Sequence, residues 1–431
     1  MKHTIIVSLL LTLAATTALA QSGTNSPYSQ YGLGVIADQS QGFNRGMNGV
    51  GLGMRFSNQV NALNPASYSA VDSLTMIFDV GLSGEITNYK EGSRRINANS
   101  ANFEYAVGSF RMFPNLGIGF GILPFTNIGY EYYTTSLINE TETSTTTSTE
   151  TYEGEGGVHE VFLGLGWRVF KGLSIGANVG YLWGSYEKDI TITSSDSYVN
   201  TVSKTYEADI HSYRVDFGLQ YEQPIGKKDL LTLGVTYTIG HNLSTDPELV
   251  TMNSNPQTSV TYYDTITVKN ALNIPDMFGV GLAWNHDHRL TIGFDYTFQK
   301  WGELDYPEVN VNTGEYVMKS NMLKDRHKFA LGGEYVHNPN SRNFFHRIRF
   351  RAGVAYNTPY IKVNGIDGPK EYSASIGFGI PIINTWNNRS VLNVSGQFVR
   401  ATADDLINVN TFRINIGLTF NERWFMKWKV E

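Results

Sequence analysis

The chain contains no cysteine. Disulfides, thiolate metal sites and a cysteine nucleophile are therefore excluded. Long apolar runs are also missing. After the first 20 residues nothing approaches the roughly 20 apolar residues a membrane-crossing helix needs. The formal net charge is −6, which gives nucleic acid no electrostatic reason to bind. Catalytic signatures are absent: there is no Gly-x-Ser-x-Gly, His-Glu-x-x-His or phosphate-loop pattern. The glycines at Gly46, Gly49, Gly51 and Gly53 are not a dinucleotide fingerprint, because no βαβ unit surrounds them. His286 and His288 flank Asp287 in an expected turn, but a metal site needs a third ligand. No enzyme activity, cofactor or metal is expected.

Proline is scarce, at 13 residues, while glycine (43), tyrosine (25) and phenylalanine (23) are plentiful. That balance describes a β-rich chain with tight turns and many interfacial aromatics. The start reads as a signal peptide over residues 1–20. Lys2 and His3 give a basic start, Ile5–Leu13 an apolar core, and Ala18-Leu19-Ala20 a cleavage site. The mature chain is expected to begin at Gln21.

From Leu74 to Phe420 one theme recurs: ten to fifteen residues of alternation, then a turn. Leu173, Ile175, Ala177, Val179, Tyr181 and Trp183 alternate with Ser174, Gly176, Asn178, Gly180, Leu182 and Gly184. Successive side chains point to opposite faces of a strand. One face is thus apolar and the other polar or small. Segments this long exceed the five or six residues usual in soluble strands. Their apolar faces end in Tyr, Trp or Phe, as membrane-interface girdles do. The expected fold is all-β: an antiparallel transmembrane barrel of about fourteen strands, over residues 74–420. An even count places both chain ends in the periplasm and the long connections outside. Thr134–Glu155, rich in Thr, Ser and Glu, is expected to be one such solvated loop. Residues 421–431 form a tail with Trp424, Phe425 and Trp428 among basic residues, suited to the periplasmic interface.

Residues 21–73 have no sustained period, yet carry Tyr28, Tyr31, Phe43, Met47 and Met54. They are too apolar for a disordered tail. A compact irregular segment ahead of a barrel has the lumen to pack in, and it is read as a plug. On the wall, Arg347, Arg349 and Arg351 are expected to form one lumen-facing row, with an interfacial place near the turn as the alternative for Arg347. The row's carboxylate partners would be Asp295, Glu334 or the plug, making a salt-bridge ladder. Pro124, among Gly117, Gly119 and Gly121, falls in the third strand. Proline removes a ladder hydrogen bond that a closed barrel cannot spare. A bulge or inward kink is expected there, and a kink opens the wall toward lipid. Pro275 is expected to break the eighth strand near the outer rim.

These pieces together resemble the FadL/TodX-type outer-membrane transporters of hydrophobic compounds. The resemblance rests on the glycine-rich N-terminal segment with Asn64-Pro65-Ala66 and on the interrupted third strand. Two segments, Leu123-Pro124-Phe125-Thr126-Asn127-Ile128-Gly129-Tyr130 and Ile274-Pro275-Asp276-Met277-Phe278-Gly279-Val280-Gly281-Leu282, add to it. It implies that Asn64, Pro65 and Ala66 belong to the plug, that Pro124 borders a lateral gap, and that a hydrophobic small molecule leaves through that gap into outer-membrane lipid. The rival expectation is a non-transporting plugged barrel. Such a barrel would be a subunit of an outer-membrane secretion, assembly or surface-lipoprotein complex, with protein partners and no ligand.

Overall fold

The structure is a computed structural model and describes residues 23–140, 145–310, 313–382 and 390–423. The expected signal peptide and most of the 421–431 tail lie outside the described residues.

Alternation becomes architecture directly. Fourteen antiparallel strands close into a barrel. The first six are Thr75–Glu91, Arg94–Phe113, Leu116–Glu140, Thr145–Phe170, Leu173–Ser194 and Thr201–Ile225. The seventh and eighth each run in two pieces: Asp229–Thr238 with Glu248–Ser254, then Thr261–Thr267 with Met277–His286. The ninth to fourteenth are Leu290–Gln299, Arg326–Val336, Arg349–Asn357, Lys370–Ile382, Ser390–Thr402 and Asn408–Arg423. The last pairs with the first from Thr75↔Arg423 to Lys90↔Asn408, which leaves no edge at the seam.

The two faces of the wall are inverted relative to a soluble protein. Leu163, Val179, Phe294, Val354, Ile376 and Ile416 point outward and are exposed. Ser174, Asn178, Asp295, Glu334, Arg351 and Asn415 point inward and are buried. Apolar-out and polar-in is stable only where lipid surrounds the barrel. Aromatic rings ring the outward face at one level. His159 stacks on Trp183 at 5.7 Å, Tyr213 on His241 at 4.0 Å, and Tyr356 lies 5.0 Å from Tyr372. Such rings sit at a membrane–water interface.

Short turns gather at one end: Phe113 to Leu116, Phe170 to Leu173, Ile225 to Asp229 and His286 to Leu290. The first strand begins and the last strand ends there too. At the opposite end the first connection is again a tight turn, Glu91 to Arg94, but those after Gln299 and Asn357 are long and carry small hairpins of their own, Tyr306–Val309 with Tyr316–Lys319 and Lys362–Val363 with Ile366–Asp367.

Two expectations need correction. Thr134–Glu155 is not a loop: the third strand runs to Glu140 and the fourth starts at Thr145, paired residue by residue. Threonine is a good strand former, and the neighbouring strand completes the ladder that composition alone does not reveal. Arg347 is not in the eleventh strand either. The chain makes a short helical turn over Phe345–Arg347, and the strand begins at Arg349.

Candidate functional site: the lumen and an opening in its wall

Residues 23–73 run in short pieces and contact inward-facing residues of the wall. They comprise a helical turn at Pro27–Gln30, a strand at Val35–Ile36, a turn of helix at Gly42–Arg45 and a 3-10 turn at Pro65–Ala70. Asn64 caps the last of these. Its side chain accepts from the Ala66 N–H at 3.1 Å, and Pro65 follows at the first helical position, where its missing N–H costs nothing. The same amide donates to the carbonyls of Leu52 (2.9 Å) and Leu219 (3.2 Å), the latter on the wall. Tyr68, fully buried, donates to Asn178 Oδ1 at 3.1 Å.

The wall facing this turn is built of glycine. Gly117, Gly119, Gly164, Gly166, Gly176 and Gly218 all meet Asn64–Ser69. A methyl group on Gly117 would stand 1.9 Å from the Tyr68 carbonyl oxygen, and one on Gly176 would stand 2.4 Å from the Pro65 carbonyl carbon. Two backbones can approach so closely only where the wall carries no side chain. The small inward positions were visible in the sequence, but what sits on them was not.

Charged groups tie the remainder of the segment to the wall. Asp295 accepts from the backbone N–H of Gly51 (2.6 Å) and Leu52 (2.9 Å). Arg45 pairs with Glu104 at 2.9 Å and donates to Asn415 at 3.2 Å. Arg55 pairs with Glu222 at 3.1 Å. Burial pushes the Asp38 carboxyl up, but Arg45 and Lys328 outweigh it and hold it below the ordinary carboxylate range. Of the arginine row, Arg349 and Arg351 both bind Glu334, with Arg351 Nε at 2.7 Å, and Arg351 also donates to Asn393 at 2.6 Å. Arg347 instead lies over the Phe344 ring at 5.9 Å. Asp295, an expected partner of the row, binds the N-terminal segment.

The ladder between the second and third strands ends early. Their ladder runs from Phe113↔Leu116 to Ala106↔Ile122 and stops. Pro124 lies two residues further on, at a bulge against the fourth strand between Pro124 and Thr126. Beyond it the third strand turns its edge inward and pairs with the N-terminal segment, Thr126 with Ile36 and Asn127 with Val35. The Ala37 N–H donates to the Phe125 carbonyl at 3.0 Å, and Gly34, at φ +96°, fits where a methyl would meet the Asn127 carbonyl oxygen at 2.6 Å. Among the described residues, Arg94–Tyr105 of the second strand is left with a ladder to the first alone. A cavity of roughly 2470 Å³ runs from the lumen past this break onto the outer face, touching Asn102 and Phe103 on one side and Ile122 and Leu123 on the other and taking in the outward Ile86, Ile414 and Ile416. Its other walls are mixed, with Glu160, Arg214 and Asp216 among them. Above it, toward the long connections, an apolar core of Tyr28, Leu33, Leu182, Ile210, Leu243 and Trp301 fills the barrel.

A closed fourteen-strand barrel with a third strand bent from its neighbour gives the chain a FadL-like fold. Solved structures agree. The toluene transporter TbuX of Ralstonia pickettii superposes with a TM-score of 0.61 at 16% identity, covering 89% of this chain and 98% of its own. A FadL homologue of Pseudomonas aeruginosa gives 0.61 at 14% identity, covering 90% and 99%. The CymD monoaromatic hydrocarbon channel gives 0.59 at 15% identity, covering 92% and 100%. No curated protein matches the chain in sequence. Within this fold the chain belongs to the BamG family, which it matches over residues 1–431.

Proposed function

We propose that the protein is a passive outer-membrane channel for small hydrophobic molecules that discharges them sideways into lipid. The observation that carries this reading is the diverted third strand. Its edge leaves the second strand at Ile122 and is held by Val35–Ile36, so a wall opening adjoins the cavity without any ladder being broken during passage. Residues 21–73 act as the plug, with Asn64, Pro65 and Ala66 fixing its turn on the glycine seat, and Pro124 borders the gap. The arginine pair at Glu334 is structural. An apolar solute leaving through the gap gains ~25 cal/mol per Å² of buried surface, so no energy source is needed. The hydrocarbons named for TbuX and CymD suggest the ligand class. Long connections face outward, and both chain ends lie in the periplasm.

A second reading is a non-transporting subunit of an outer-membrane assembly, secretion or lipoprotein complex. It is favoured by the apolar core that fills the lumen at the long-connection end and by the carboxylates in the cavity below. Together they suit a barrel that holds its shape rather than one that passes an apolar solute. The test is binding of an apolar fluorescent dye to the purified barrel, with single-channel conductance measured in parallel. Saturable binding to a non-conducting barrel, reduced at least several-fold by Pro124→Ala, supports uptake. No binding by wild type or by protein lacking residues 23–70 overturns it and leaves the subunit reading.

A further inference from the structure

We propose that the sheet projecting from the long-connection end is a docking surface for a basic, strand-forming segment of a partner protein. The inference stands whether or not the barrel transports. The third to sixth strands run on past the girdle and are joined there by the upper pieces of the seventh and eighth, Tyr133 facing Thr151, Thr191 facing Ser203, and Thr251 facing both Lys204 and Asp264. This sheet is not closed. Among the described residues Thr261–Thr267 has a ladder with the seventh strand alone, and beyond Asn127 the third strand has a ladder with the fourth alone, the Gly129 N–H and C=O being held by the Ser29 hydroxyl and the edge beyond them being open. Unpaired N–H and C=O groups at a sheet edge are a template for another strand. The ends of the sheet are also unusually aromatic at the surface: Tyr133 is 74% exposed, Tyr198 78%, Tyr262 71% and Tyr263 69%. Exposed tyrosine is the side chain interfaces favour.

Charge selects the occupant. Residues 130–157, 184–209 and 241–272 hold fourteen acidic and three basic residues, although the whole chain carries only −6. One of the three, Lys188, is buried and donates to the carbonyls of Gln30 (2.8 Å) and Gly32 (2.9 Å). The register sets Glu155 opposite Glu187, Glu187 opposite Glu207, and Glu207 opposite Glu248. Like charges directly opposite weaken a sheet, so this row has no use in holding the strands together. Lipid phosphates would be repelled unless bridged by cations, and among the described residues no group of three or more side chains is placed to hold a metal ion. A second copy would bring the same negative surface. A cationic protein segment fits both the edge and the charge.

The test uses the full chain in its own membrane, with a photo-crosslinking residue at Tyr262 or Tyr133. In parallel, the purified protein is titrated with a twelve-residue peptide of alternating lysine and valine. Expected are a protein adduct of fixed mass, lost in Glu187→Lys/Glu207→Lys, and peptide affinity that falls at least tenfold in that variant and at high salt. Asp287→Lys, at the opposite end, should leave both unchanged. Gel mobility of the unheated barrel verifies folding, and Glu187→Gln/Glu207→Gln repeats the comparison without charge reversal. Adducts with lipopolysaccharide or with the chain itself, or peptide binding indifferent to the reversal, overturn the proposal.

Discussion

Gly117→Ala probes the glycine seat most directly. In an ordinary strand the change is mildly favourable, because alanine costs less conformational entropy by roughly 0.5–1 kcal/mol. Here the new methyl would lie 1.9 Å from the Tyr68 carbonyl oxygen, a backbone atom, where ordinary contact begins at 3.4 Å. The Pro65–Ala70 turn must retreat by about 1.5 Å, or the third strand must bow outward. Retreat also pulls the Tyr68 hydroxyl from Asn178. Overpacking of this kind costs about 1–3 kcal/mol, which raises the released fraction of the segment about 5- to 150-fold. Hydrogen exchange of residues 61–70 in the purified, folded barrel reads that fraction. Gly176→Ala should behave alike, because its methyl would meet Pro65 and Ala66 backbone atoms. Gly84→Ala is the control, with nothing within 4 Å of its methyl. If exchange over 61–70 in Gly117→Ala and Gly176→Ala stays at the level of Gly84→Ala, the seat does not hold the segment and the reasoning fails.

Other outcomes are equally specific. Glu334→Gln strands Arg349 and Arg351 in the lumen and should cost about 3–5 kcal/mol, seen as a lower urea midpoint, whereas Arg347→Gln should leave the midpoint in place. Because Asp38 is held below the ordinary carboxylate range, its contribution is complete above pH ~4 and fades as pH falls through the folded value. The difference in melting temperature between wild type and Asp38→Asn should therefore stay constant from pH 5 to 8 and shrink toward pH 3. A gap that widens in acid contradicts the Arg45–Lys328 field. Pro124→Ala should leave the stability from urea unfolding within about 1 kcal/mol of wild type, since the proline already sits at a bulge in the ladder with the fourth strand and lies past the last pair with the second.

The barrel was legible because its signal is local. Alternation along Leu173–Trp183 or Phe412–Phe420 needs no knowledge of the partner strand, and the bilayer solvent explains the inverted faces. The bulge at Pro124 was legible for the same reason: one residue lacking an N–H must find a place where the ladder is irregular, here against the fourth strand. What failed was whatever depends on a distant partner. Thr134–Glu155 looks solvated until the fifth strand, at Glu187–Thr193, supplies the neighbour that makes the fourth a ladder. Arg347 keeps the spacing of its row, but spacing does not say where a turn hands over to a strand. Asp295 and Glu334 are chemically alike and lie on neighbouring strands. Only the fold decides that one binds two backbone amides and the other two guanidinium groups.

The N-terminal segment also imposes an order of events. It is made first, yet its contacts reach the fifth strand at Asn178 and the ninth at Asp295 and straddle the seam, where Arg45 meets Glu104 on the second strand and Asn415 on the fourteenth. The seam part of that mould does not exist until the last strand has met the first. The beginning of the chain must therefore wait, unsatisfied, for its end. Whatever closes the barrel must leave room for a segment to be drawn inside, and that segment, once seated, records that closure was correct.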